Sequence, residues 1–277
     1  MKQLCIGECV SSLVYSPNGK IFVGLEGGDI KILTERSLKE SKTFKGDKPL
    51  FSLALSQDGK LLAVAREEEV EVRDAVFGEK KYSLPCTDAA RAAAFNGKGK
   101  LLAAASNGEV GIFNAVTAVP IKTYKGLDEI KCITFHPDGK LLVAGSRNSL
   151  RVWNVSVPAI ATLVKKITTP IYSMTFSPNG KWLASGDDNT VKVWDIKNWK
   201  PKEVLVGSAV NSVAFSPDGK YLATGSDDTV KLWNIEGKTL AKTFTGHTDI
   251  VTSVAFSPDS KWIASGSADK TVCVWEV

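Results

Sequence analysis

The chain restates one pattern seven times. Its landmark residues, Tyr15, Leu55, Phe95, Phe135, Phe176, Phe215 and Phe256, follow one another at intervals of 39 to 41 residues. Five residues beyond each stands a lysine: Lys20, Lys60, Lys100, Lys140, Lys181, Lys220 and Lys261. A fixed period near 40 residues marks a stacked or closed array of one supersecondary unit. No linker interrupts the units, so the period overrides the one-or-two-domain expectation from length and predicts a single domain over residues 1–277.

The last unit shows what is repeated. Val251-Thr252-Ser253-Val254-Ala255-Phe256 alternates with period two and is rich in β-branched residues, so it reads as a strand. Ser257-Pro258-Asp259-Ser260 suits a type I turn, and the sister units carry Gly19, Gly59, Gly99, Gly139, Gly180 and Gly219 at its fourth place. Residues 261–266 form a second strand, Ala268-Asp269-Lys270 a tight connection, and residues 271–275 a third strand. Between units lies a fourth, as in residues 239–244 and 121–124. Each unit is therefore a four-stranded antiparallel meander with two apolar faces, which stacking around an axis would cover. The chain stops after a third strand, while Lys2-Gln3-Leu4-Cys5-Ile6 has no unit of its own. That N-terminal ribbon is expected to supply the missing strand and remove two open edges.

These residues resemble the WD40 repeat family along the whole chain. The resemblance is carried by Phe215-Ser216-Pro217-Asp218-Gly219-Lys220, by residues 225–234, by Thr245-Gly246-His247 and by Trp194-Asp195, with Trp153-Asn154, Trp233-Asn234 and Trp275-Glu276 as variants of the last pair. The first three units have drifted, with Leu33-Thr34, Arg73-Asp74 and Phe113-Asn114 in its place. The resemblance implies an all-β, seven-bladed β-propeller with four antiparallel strands per blade. It also implies a structural tetrad of histidine, serine or threonine, aspartate and tryptophan. Only the last unit carries a full set, His247, Ser265, Asp269 and Trp275, with Ser267 as the alternative to Ser265. Elsewhere Gly46, Gly126 and Gly207 remain, but Asp47, Leu127 and Ser208 replace the histidine.

Reactive chemistry is scarce. With His247 structural and His136 in an exposed turn, neither of the two histidines is left for a catalytic triad. Asn96-Gly97-Lys98-Gly99-Lys100 is glycine-rich, but it reads as a drifted turn between strands rather than a phosphate loop opening a helix. The acidic clusters Glu67-Glu68-Glu69, Asp187-Asp188 and Asp227-Asp228 fall in hairpins of different units, where aspartate favours turns, and are expected to face water. No catalytic residue, metal site or cofactor is therefore expected. Five cysteines without metal-ligand spacing and a start too short and polar for a secretory signal predict free thiols in the cytoplasm, the nucleus or both. The projected strand pairing would bring Cys5 and Cys273 onto adjacent strands, but a disulfide there conflicts with that compartment. No apolar run is long enough for a membrane span.

Family topology would put the strand-two/strand-three turns on a top face and the seven lysines on the bottom. At net charge +5, that arrangement makes a basic lower face conceivable for nucleic acid. A structural position should look alike in all copies, whereas a binding position should differ. The second residue of strand one differs most: Ser11, Phe51, Arg91, Lys131, Tyr172, Asn211 and Thr252, flanked by uniform aliphatics such as Ile130, Ile171, Val210 and Val251. Aromatic residues and arginine anchor interfaces, so these seven form the candidate top-ring site, with Phe51, Arg91, Lys131 and Tyr172 foremost. Trp199 is a weaker candidate on the lower rim. The expected function is a scaffold or adaptor for peptides or proteins, as a monomeric subunit of a larger complex. A nucleic-acid-associated protein is the first alternative and a propeller enzyme the second.

Overall fold

A computed structural model describes residues 1–86, 88–106, 108–158, 162–206 and 209–277, with the backbone alone at 202–206. The described residues form 28 strands in seven four-stranded antiparallel sheets. The first sheet runs from β2 (Val10–Tyr15) to β5 (Glu40–Phe44), the second from β6 (Leu50–Leu55) to β9 (Lys80–Pro85), and the third from β10 (Ala92–Phe95) to β13 (Pro120–Tyr124). The fourth spans β14 (Ile130–Phe135) to β17 (Thr162–Ile167), the fifth β18 (Ser173–Phe176) to β21 (Lys200–Val206), and the sixth β22 (Val210–Phe215) to β25 (Thr239–Thr245). The seventh joins β26 (Val251–Phe256), β27 (Trp262–Ser267) and β28 (Thr271–Glu276) to β1 (Lys2–Cys5). This is a seven-bladed β-propeller with four antiparallel strands per blade. Its N-terminal strand completes the last blade in the register Lys2↔Val274, Gln3↔Cys273, Leu4↔Val272 and Cys5↔Thr271. Cys273 thus faces Gln3, and all five cysteines are free.

The residues fall into two compact units, 1–50 with 173–277 and 51–172. The same rules build both. Strand two is buried almost throughout, as in Leu141–Ser146, because apolar neighbours cover both its faces. Strand four is largely exposed, as in Thr239–Thr245. Each strand-one/strand-two turn ends on a left-handed residue, a glycine with φ of 64° to 76° in six sheets and Ser260 at 62° in the seventh.

Near the end of strand two a glycine lets the next sheet approach. A Cβ at Gly145 would lie 2.5 Å from Ile171 Cγ2, one at Gly186 2.7 Å from Val210 Cγ1, one at Gly225 2.7 Å from Val251 Cγ1, and one at Gly266 2.3 Å from Val10 Cγ1. The same aliphatics are tied by backbone: Ile171 N–H donates to Ser146 O (2.8 Å), Val210 N–H to Asp187 O (3.0 Å), and Val251 N–H to Asp227 O (2.6 Å).

One residue further on, the ladder slips. The register between strands one and two shifts between Val10 and Ser12, Ile130 and Cys132, Val210 and Ser212, and Val251 and Ser253. Ser11, Lys131, Asn211 and Thr252 are therefore bulge residues outside the ladder, where a side chain is re-aimed away from the pleat.

Candidate functional site

Two kinds of polar constellation stand out, one that holds a sheet together and one at the bulges. In the seventh sheet, His247 Nδ1 is 2.9 Å from Asp269 Oδ2, His247 Nε2 is 2.8 Å from Ser265 Oγ, and Trp275 Nε1–H donates to Ser265 Oγ at 2.8 Å. A carboxylate only accepts, so Nδ1 carries the proton toward Asp269, and in the neutral ring Nε2 accepts from the Ser265 hydroxyl. Thr271 Oγ1 donates to Asp269 Oδ1 at 2.6 Å and Thr248 N–H to Oδ2 at 2.9 Å. Burial pushes the Asp269 carboxyl up, but the bonds from Thr271, Thr248 and His247 outweigh it and hold it below the usual range. Ser267 lies outside this relay, donating to Asp249 O at 2.9 Å.

Parts of the relay recur where the sequence reading expected only fragments. Trp194 Nε1–H donates to Ser185 Oγ (2.8 Å) and Trp233 Nε1–H to Thr224 Oγ1 (3.1 Å). In the second sheet Arg73 occupies the tryptophan's place, and a buried ion cluster stands there instead. Arg66 Nε contacts Glu71 Oε2 at 3.2 Å and Arg73 Nη2 contacts Glu71 Oε1 at 2.9 Å, with Arg66 only 2% exposed. Gly207 and Ser208 lie outside the described residues.

Two expectations about turns are corrected. Asp187 does not face water. It is buried, accepting from Asn189 N–H, Thr190 N–H and Oγ1 and Lys192 Nζ at 2.8 to 3.0 Å, because the hairpin needs its carboxylate as an internal acceptor. His136 is not an idle surface residue either: its ring is mostly buried, with Nδ1 2.7 Å from Asp138 Oδ1. Glu67, Glu68, Asp188, Asp227 and Asp228 are exposed, as are all seven lysines, whereas Glu69 is half-buried as part of a strand, 3.2 Å from Lys80. Trp199 is half-buried with φ 57°, the left-handed end of its turn.

The variable strand-one positions fall differently in each unit. Within residues 51–172, the Arg91 guanidinium carbon lies 4.4 Å from the centre of the Phe51 ring, a cation–π contact between neighbouring sheets. Arg91 also lines a cavity of about 290 Å³ with Asp88, Ala89 and Glu129. Lys131 Nζ is 2.6 Å from Glu129 Oε1, and that bond, first among its causes, holds the Glu129 carboxyl below its usual range. Tyr172 is half-buried. Arg91 and Tyr172 immediately precede β10 and β18 rather than standing second in them, since the regular ladder starts later in those sheets. In the other unit Asn211 is exposed, Ser11 is half-buried, and Thr252 Oγ1 donates to Val10 O (2.6 Å) and Gly266 O (3.0 Å). Thr252 thus ties its own bulge to the next strand. Among the described residues, no group of three or more His, Cys, Asp or Glu side chains is placed to hold a metal ion, and no helix is long and apolar enough to cross a membrane.

The seven meanders with their N-terminal closing strand define the class as a β-propeller. The family model of the WD domain, G-beta repeat, matches residues 118–154, 160–195, 199–234 and 238–276, a little over half of the chain. The chain belongs to the WD40 family. No match is found among curated proteins. WD40 propellers are in general non-catalytic scaffolds for protein–protein interaction.

Proposed function

We propose that this protein is a non-catalytic adaptor that holds a peptide segment of a partner protein against the variable residues at the start of its first strands. The observation that carries this reading is the contact of Arg91 with Phe51. Two positions that vary among the repeats meet across neighbouring sheets and present a stacked guanidinium beside a small cavity. Stacking fixes the guanidinium plane while leaving its edge able to fork onto a carboxylate or a pair of carbonyls. Glu129 takes up the Lys131 charge, Arg91 is the cation that lines the cavity, and Asp88 and Glu129 offer acceptors to a partner's donors. An extended segment carrying an aromatic residue and a carboxylate suits this mixed surface. Five free thiols suit a subunit working in the cytoplasm or nucleus.

The test is capture of partners from an extract of the source cells. Arg91→Ala with Tyr172→Ala is expected to abolish capture while the thermal melt stays that of the parent; unchanged capture overturns the reading. The nucleic-acid alternative has the exposed lysines in its favour, but Asp58 and Asp218 stand 3.9 and 3.6 Å from Lys60 and Lys220. It requires steeply salt-dependent binding that charge reversal at Lys100, Lys140 and Lys181 removes.

A further inference from the structure

The comparison between copies that singles out the bulges also applies to the turns between strands three and four. Their first exposed residue is Arg36, Val76, Val116, Ser156, Lys197 or Glu236, and their second is Ser37, Phe77, Thr117, Val157, Asn198 or Gly237. The second sheet is apolar at both places, and the third and fourth at one each. Val76, Phe77 and Val116 are 62%, 66% and 72% exposed. They border one groove of about 770 Å³, floored by Leu61, Tyr82 and Ala115. The Tyr82 hydroxyl donates to Ala115 O, which ties the floor across the two sheets.

The exposed residues are held rigidly. Asp74 Oδ1 accepts from Val76 N–H (2.9 Å) and Phe77 N–H (3.0 Å), and Asn114 Oδ1 accepts from Val116 N–H (2.9 Å) and Thr117 N–H (3.0 Å). A loop fixed in this way loses little freedom when something docks on it. The rim departs from the repeat as well. The strand-one/strand-two turn of the third sheet has Lys98 where four other sheets have Asp58, Asp138, Asp218 and Asp259. Lys60, Lys81 and Lys98 line the groove beside Asp58 and Asp74. Both carboxylates are engaged internally. Ser56 Oγ and Lys60 N–H donate to Asp58 (2.6 and 3.1 Å), and the Asp74 carboxylate takes the Phe77 and Val76 N–H groups and lies 3.3 Å from Lys81 Nζ. The Phe77 N–H bond, the largest cause, holds Asp74 below the usual carboxylate range, and the Ser56 bond does the same for Asp58. What remains to face a ligand is an apolar trough whose rim carries one positive charge in excess, three lysines against Asp58 and Asp74.

We propose that this groove is a second docking site, which takes a short partner segment pairing an aromatic or large aliphatic side chain with neighbouring carboxylates. The apolar side chain would fill the trough over Leu61 and Tyr82, between Phe77 and Val116, and the carboxylates would meet Lys60 and Lys98. Concavity favours an inserted side chain over a flat bilayer. The sign of the rim disfavours a second copy of this chain, which carries a net charge of +5.

The experiment is selection of random displayed peptides on the immobilised full chain, followed by fluorescence anisotropy with the enriched peptide. Enriched sequences are expected to combine Phe, Trp or Leu with Asp or Glu. Phe77→Ser, the residue of the first sheet's turn, and Val116→Asp should each weaken binding by about tenfold or more. Lys60→Glu with Lys98→Glu should weaken it and flatten its salt dependence. Arg91→Ala with Tyr172→Ala should leave it unchanged, which keeps this outcome separate from that of the strand-one site. The proposal is overturned by selection that yields no enriched peptide or basic ones, or by affinity indifferent to Phe77→Ser. It is also overturned if Phe77 instead mediates sedimentation with phosphatidylcholine–phosphatidylserine vesicles, or concentration-dependent dimerisation.

Discussion

Gly266→Ala puts the packing of the last sheet on the first to a quantitative test. The added Cβ would stand 2.3 Å from Val10 Cγ1, 2.8 Å from its Cβ and 3.2 Å from Cγ2. Val10 is 1% exposed, so it cannot swing into solvent. Overpacking of a closed site costs about 1–3 kcal/mol, and the lower chain entropy of alanine in the unfolded state returns about 0.4–1. The net expectation is a loss of about 1–2 kcal/mol. Val10→Ala alone removes two buried methyl groups and should cost about 1–3 kcal/mol by transfer and cavity terms. The double variant should lose less than the sum by about 1 kcal/mol or more, because the new methyl group enters the space the valine vacates. The second and third sheets already use that solution: Ala65 takes the glycine's place, Ala90 takes the valine's, and both are fully buried in one cluster. Urea unfolding of the parent, the two single variants and the double variant supplies the four free energies. Strictly additive losses would mean that Gly266 and Val10 do not meet, and the packing reasoning would fail.

Further outcomes follow from the same contacts. His247→Ala should cost about 1–3 kcal/mol, since it takes one hydrogen-bond partner from each of the buried Ser265 hydroxyl and Asp269 carboxylate; an unchanged melting curve would refute the relay. The Asp269 carboxyl titrates lower in the folded protein than its ordinary 3.8, so its contribution is complete above pH 3.8 and disappears as the pH falls through the folded value. An Asp269→Asn variant should therefore show a shallower loss of stability in acid than the parent, and parallel acid curves would exclude this contribution. Arg66→Ala leaves Glu71 buried with one partner fewer and should cost about 3–5 kcal/mol, whereas replacing the whole cluster, Arg66→Met with Glu71→Leu and Arg73→Leu, should lose much less. Equal losses in both variants, measured by urea unfolding, would show that the charge pairing is not what matters there.

Much of the fold was legible because it is written seven times. Turn chemistry at Gly19 and its six counterparts and period-two strands recur in phase, so noise in one copy is corrected by the others, and the Lys2–Cys5 ribbon stood out as the strand without a unit. What one copy does alone was harder to read. The bulges at Ser11, Lys131, Asn211 and Thr252 leave no mark in composition, and only the variation at these positions and their counterparts showed in the sequence. Arg73 was visible as a departure from tryptophan, yet nothing local tied it to Arg66 and Glu71, since their association depends on strands two and three lying side by side. Asp187 read as a surface turn residue because aspartate is common in turns for two opposite reasons, hydration and internal acceptance of N–H groups. The apolar turns at Val76 and Val116 could have been found by the same copy-to-copy comparison that flagged the bulges.

The claim that partners are recognised at the variable strand-one positions is tested most directly by site-specific photocrosslinking. Benzoylphenylalanine would be placed singly at positions 88, 89 and 129, which line the Arg91 cavity, and for comparison at 140, 181 and 220, with extract of the source cells as the partner pool. The account predicts a discrete crosslinked protein from the first three positions and none from the lysine positions. Crosslinks confined to 140, 181 and 220, or to nucleic acid, would contradict it.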